Sequence, residues 1–241
     1  MVLPLNLAMT PLEIAVAPVL PDRVAWMSCH FCSDTEGIAN IPEDLPKGAM
    51  LILNDRESCA GHSPDLVARQ LLDLVHRCHC ESVLLDFQRP PEPESTVMVS
   101  TLVQALPYPV AVTESFAEGL SCPVFLSPCP PHRPLSAHLL PWSGREIWLE
   151  AALCQEKITV TKDGTTFSPV YPVKIPEGGF YCDQLHCRYR TSIFENRIEF
   201  TLFDTRETLQ EKLNAAKELG VCRAVGIWQE LGTFLAGTES A

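Results

Sequence analysis

What most limits the fold of this chain is a series of eight short apolar runs that are largely unbroken by polar residues. They are Leu12–Ala17, Val24–Cys29, Met50–Leu53, Val83–Leu85, Val110–Val112, Val124–Leu126, Ile147–Leu149 and Ala224–Trp228. A strand with one wet face alternates in sequence. A continuous run describes a strand buried on both faces, as in a parallel sheet covered by helices. Almost every run stops at a polar or special residue: Asn54-Asp55, Asp86, Thr113-Glu114, Ser127-Pro128, Glu150 or Gln229-Glu230.

Helical patterns lie between some of the runs. Ser63 is a candidate N-cap with Pro64 at the first helical position. Leu66, Val67, Leu71, Leu74 and Val75 then make an apolar face as far as about His76. Asp204 followed by Glu207 reads as a capping box for a second helix. Its stripe is Leu209, Leu213, Ala216 and Leu219, and its stop is Gly220. A weaker pattern covers Ser95 to Leu106. Strands alternating with helices imply parallel pairing through right-handed crossovers. The expected fold is therefore α/β, a closed (β/α)8 TIM-type barrel. At 241 residues the chain is near the lower limit for that fold. The links Ala17–Arg23 and Ser115–Ser121 are too short for full helices, so reduced helices are predicted. An open doubly wound sheet is the rival, but the Gly-rich phosphate loop that usually marks it is absent.

Residues 154–203 follow a different pattern within this single 1–241 domain. Lys157–Thr161 and Thr165–Phe167 flank Lys162-Asp163-Gly164, a hairpin turn signal. Arg197–Asp204 alternates and leads into the second helix. This stretch is predicted to be a small β-rich insertion between the seventh and eighth barrel strands. Ser127–Pro134 is a stiff Pro-rich loop after the sixth.

The formal charge of -12 excludes the basic surface that nucleic acid or anionic membrane requires. No run approaches the roughly 18 apolar residues of a membrane helix. The first residues lack the positive start of a secretory leader, so a cytoplasmic location is expected. The 11 cysteines, Cys29, Cys32, Cys78 and Cys80 among them, read as buried or free thiols rather than a disulfide framework or metal site. No cofactor and no metal is expected. The oligomeric state is left open.

Glu81-Ser82-Val83-Leu84-Leu85-Asp86-Phe87-Gln88, the insertion before the last strand, and the closing segment Phe203–Gly232 together resemble the family 18 glycoside hydrolases, the chitinase-like barrels. The resemblance implies that Asp86 positions the substrate's acetamido group. It puts Gln88 at the proton-donor position and makes Trp228 the aromatic floor of a sugar site. Several family positions differ: Glu81 and Leu84 stand where aspartates would be, Leu53–Arg56 replaces the Ser-x-Gly-Gly pattern, and Ser127-Pro128 replaces Tyr-x-Asp. An amide cannot protonate a leaving group, and loss of general-acid catalysis costs about 10²–10⁴ in rate. Two readings follow. One is a catalytically degenerate barrel that binds a carbohydrate or other polar ligand at the strand C-termini. The other is a divergent glycoside hydrolase in which Glu150 or Glu114 acts as the acid with Asp86. Glu230, Asp55 and Trp148 join Trp228 as candidate ligand contacts at the same mouth. His30, His132 and His138 are further groups expected near that face. A non-catalytic scaffold for protein interaction is the third alternative.

Overall fold

Leu5–Met9 forms β1, and the computed structural model describes residues 3–34, 36–171, 173 and 175–235. The chain continues through β2 (Val24–Phe31), β3 (Ile38–Ala39), β4 (Met50–Asn54), β5 (Ser82–Asp86), β6 (Val110–Thr113), β7 (Val124–Leu126) and β8 (Ile147–Ala151). An antiparallel sheet follows, of β9 (Gln155–Thr161), β10 (Gly164–Pro169), β11 (Phe180–Cys182), β12 (Cys187–Ile193) and β13 (Arg197–Phe203). The last strand is β14 (Val221–Ile227). β1 pairs in parallel with both β14 and β2, which closes β1, β2, β4, β5, β6, β7, β8 and β14 into an eight-stranded parallel barrel. β3 is a two-residue antiparallel addition to β2 at the barrel rim.

The eight-strand count is as predicted, but the first member is a different segment. Leu12–Ala17 is not a strand: Pro11–Val16 is a short helix, α1. Thr10 caps it, Glu13 completes a capping box and Pro11 takes the first helical position. None of its residues is buried, and Leu12 and Val16 face outward. The capping chemistry outweighs the apolar run. The true first strand is shorter and carries Asn6 between its leucines.

The remaining helices are α2 (Pro64–Arg77), α3 (Pro93–Ala105), α4 (Leu135–Leu139), α5 (Arg206–Glu218) and α6 (Trp228–Leu235). Only a 3-10 turn at Glu114–Phe116 follows β6, as its short link predicts, and among the described residues no helix lies between β2 and β4 although that connection is longer. α2 buries Val67, Ala68, Leu71, Leu74 and Val75 against the barrel. α5 is capped by Thr205 with Thr208, not by Asp204 with Glu207. Asp204 is buried instead. It accepts a bond from Lys212 Nζ at 2.7 Å and another from the Cys154 N–H at 3.1 Å. Gly220 ends the α5 segment with a φ of 92°, a conformation that suits glycine.

The insertion order is β10-β9-β13-β12-β11, every neighbour antiparallel. Its first hairpin turns at Lys162-Asp163, with Gly164 paired to Thr161. His132 of the Pro-rich loop bonds Glu156 of β9 at 2.6 Å and packs its ring near Phe167 of β10, fastening the sheet to the barrel.

Two cores result. The outer one lies between strands and helices and includes Leu51, Leu53, Val83, Leu85, Val112 and Leu149. The inner one fills the barrel with Ala8, Ala25, Met50, Ile52, Leu84, Ala111, Phe125, Trp148 and Val225. Side chains on a strand alternate between these two cores, as the period of two demands. Cys29, Cys78 and Cys80 are buried, and burial pushes the Cys29 and Cys80 thiols up to about 12. Among the described residues no helix is long and apolar enough to cross a membrane.

Candidate functional site

The inner core fixes where a site can lie. Two residues beyond each of eight inner-core positions, the same face reaches the C-terminal mouth of the barrel. Those positions are Thr10, Met27, Asn54, Asp86, Thr113, Ser127, Glu150 and Ile227. Six of them, all but Thr113 and Ser127, line a cavity of about 420 Å3. Its floor is the inner core itself: Ala8, Ile52, Leu84, Phe125 and Val225. A floor built partly from alanine leaves the volume open.

Strand β2 adds more to the wall than regular pairing allows. Its register to β4 steps from Trp26↔Leu51 to Cys29↔Leu53, so Met27 and Ser28 share the space opposite Ile52. Such a bulge re-aims side chains at a barrel rim. Met27, Ser28 and His30 all reach the cavity as a result. The His30 ring lies 3.0 Å from the Ser28 carbonyl through Nδ1, and its Nε2 is 4.0 Å from Glu57. Asn40 lies beside it in a left-handed turn, φ 51°, and the Trp26 indole N–H donates to its carbonyl. Arg56, just beyond β4, completes this side of the rim.

The acidic side is built by β5 and β8. Asp86 accepts a hydrogen bond from the Gln88 side-chain amide. Burial lifts the Asp86 carboxyl above its ordinary value, against the lowering by Gln88, and Asp55 pushes the same way as burial. Glu150 is shifted further, up to about 7, by burial first and then by the negative charges of Asp86 and Glu230. Among the described residues it has no hydrogen-bond or ion-pair partner. A carboxylic acid that holds its proton to near neutrality can donate it or share it.

Several sequence candidates take other places. Asp55 is buried and its two oxygens accept the backbone N–H groups of Gln88 and Arg89, each at 2.9 Å. It shapes the loop after β5 and does not line the cavity. Trp148 faces inward as predicted from its spacing to Glu150, but one layer lower, fully buried, with its indole N–H on Glu146 at 2.9 Å. Glu114 begins the 3-10 turn after β6, where the Ser127 hydroxyl donates to it at 3.3 Å, away from the cavity wall. Glu230 is exposed on the first turn of α6 and acts on Glu150 by charge alone. Trp228 starts α6 and packs on the outer core; its neighbour Ile227 faces the cavity. One residue of displacement along β14 decides which face a side chain joins. His138 holds the Ser127 carbonyl at 3.0 Å. The rim residues Ser28 and Asn40 carry no sequence signal, because a bulge and a two-residue strand place them.

Solved structures supply the comparison. The class V chitinase from Nicotiana tobaccum superposes with a TM-score of 0.60 at 9% identity, over 95% of this chain and 94% of that one. A Glu→Gln variant of that chitinase, in complex with NAG4, gives 0.59 at 10% identity, over 95% and 94%. The family 18 N-acetylglucosaminidase from Paenibacillus barengoltzii gives 0.56 at 11%, over 94% of both chains. The fold is that of the family 18 glycoside hydrolases. No family model and no curated protein matches the sequence.

Proposed function

We propose that this chitinase-like barrel binds a carbohydrate in the cavity at its strand C-termini and lacks the usual family 18 hydrolytic step. The observation that carries this is the pairing of Asp86 with Gln88 inside a polar-walled cavity of about 420 Å3. That volume lies within the roughly 300–1,000 Å3 of small-molecule sites. Resemblance puts Gln88 at the donor position, where a glutamine hydrogen-bonds but cannot release a proton. A Glu→Gln variant of a chitinase with this fold is solved in complex with NAG4, which makes oligosaccharide binding a coherent role for such a barrel. The Asn54 and Gln88 amides, the Thr10 and Ser28 hydroxyls and the two acids supply hydrogen bonds for sugar hydroxyls. Isothermal titration with a panel of amino-sugar and neutral oligosaccharides tests the reading: millimolar or tighter binding to at least one is expected. Absence of heat with all of them removes it.

A second reading rests on Glu150 alone. An acid near 7 at neutral pH is suited to protonate a leaving group. In that case Glu150 replaces the missing donor, with Asp86 as its partner. Turnover of aryl glycosides that disappears in Glu150→Gln supports it. Turnover unchanged in that variant excludes it.

A further inference from the structure

We propose that the barrel mouth selects a ligand bearing a primary ammonium group, of the kind a de-N-acetylated amino sugar carries, and that Asp86 and Glu150 receive that cation. This rests on the carbohydrate reading of the same cavity.

Among the described residues the buried acids are Asp55, Glu156 and Asp204, whereas Asp86 and Glu150 are half-buried at the cavity. Asp204 is matched by Lys212 at 2.7 Å, Glu156 by His132 at 2.6 Å, and Asp55 by two backbone N–H groups at 2.9 Å. Each charge taken out of water meets a donor or a cation, as the cost of an unmatched buried charge requires. The cavity pair is the exception. Asp86 receives one neutral amide bond, and Glu150 has no hydrogen-bond or ion-pair partner among the described residues. Arg56 and His30 also line the cavity, yet neither forms an ion pair with these acids, and His30 turns toward Glu57.

The charges that shift Glu150 are both negative, although Arg56 lines another part of the same cavity. Asp86 of β5 and Glu230 of α6 both oppose its ionisation. The opening beside them is a partly open cavity, so the mismatch lies in a space that a ligand can enter. An ammonium group offers three donors and a compact positive charge, enough to satisfy both carboxyl groups at once. An acetylated nitrogen offers one donor and no charge. The walls do not favour a bare sugar face either. Among the described residues, Phe125 on the floor is the one Phe, Tyr or Trp ring lining the cavity, and Trp228 packs on the outer core. Polar selection therefore outweighs ring stacking. Ion pairing requires Glu150 as carboxylate, so below about pH 7 its proton passes to the buffer when the cation binds.

The test is calorimetric titration of the whole chain with glucosamine tetramer, N-acetylglucosamine tetramer and 1,4-diaminobutane. Glucosamine tetramer is expected to bind at least tenfold more tightly than its acetylated counterpart. Its affinity is expected to rise about tenfold from pH 5 to pH 6 as Glu150 gives up its proton. Glu150→Gln and Asp86→Asn, both close in shape to the native side chains, are expected to weaken it tenfold or more, and Glu150→Gln to flatten the pH profile. Equal or tighter binding of the acetylated tetramer overturns the ammonium assignment while leaving the carbohydrate reading intact. Binding of 1,4-diaminobutane as tight as the glucosamine tetramer overturns the sugar part of the assignment. No heat with either tetramer overturns both.

Discussion

Replacing Glu150 by glutamine should make this protein more stable, and only above the pH at which the unfolded chain ionises this carboxyl. The ordinary carboxyl value of 4.5 applies in the unfolded chain, and the folded chain raises it to about 7. Below 4.5 both states hold the proton and the carboxyl has no effect on stability. Between 4.5 and about 7 the unfolded chain has released its proton while the folded one retains it, so stability falls as pH rises. Above 7 the loss is complete. Each pH unit of displacement corresponds to about 1.4 kcal/mol, which puts the full loss at about 3 kcal/mol and roughly 2 kcal/mol once the partly open cavity is allowed for. Glutamine cannot ionise and fits the same space. Urea unfolding at pH 4 and pH 8 should therefore show Glu150→Gln equal to the native chain at pH 4 and about 2 kcal/mol more stable at pH 8. A gain of the same size at both pH values, or no gain at pH 8, refutes the reasoning. A stabilising substitution at a cavity-lining acid is the usual sign that a site has been kept at a cost to the fold.

Lys212→Met leaves Asp204 buried and unpaired, and should cost about 3–5 kcal/mol. The double variant Lys212→Met/Asp204→Leu should recover at least half of that in the same urea titration. Trp228→Leu should lower stability by about 1–2 kcal/mol, because the indole covers the outer core and stands close over Gly232. Calorimetry should find ligand affinity changed less than twofold, whereas a sugar platform would lose far more.

Much of the barrel was legible because burial on both faces leaves continuous apolar runs, and seven of the eight strands announced themselves that way. The exception is instructive. Leu12–Ala17 has the apolar content of a strand but sits behind Thr10-Pro11, where a capping box decides the local conformation. The deciding signal lies at Thr10 and Glu13, and it overrides the hydrophobic pattern that follows. Asp204 illustrates the reverse: its sequence context suits a helix cap, but the fold places it beside Lys212 in the interior, and Thr205 takes the cap.

The acids of the site divide along the same line. Sequence alone determined that Asp86 and Glu150 each end an apolar run, and a period of two carries both to the inner face. It could not separate Trp228 from Ile227, because which of two adjacent residues faces inward depends on how β14 registers against β1 and β8. Nor could it show that Asp55 is already occupied by two backbone N–H groups, or that a bulge in β2 brings Met27, Ser28 and His30 together. Those depend on pairings between segments far apart in the chain. Local chemistry chose the strands and the ionisable groups at their ends. Closure of the barrel decided which of those groups meet in one cavity, and which are left there without a partner.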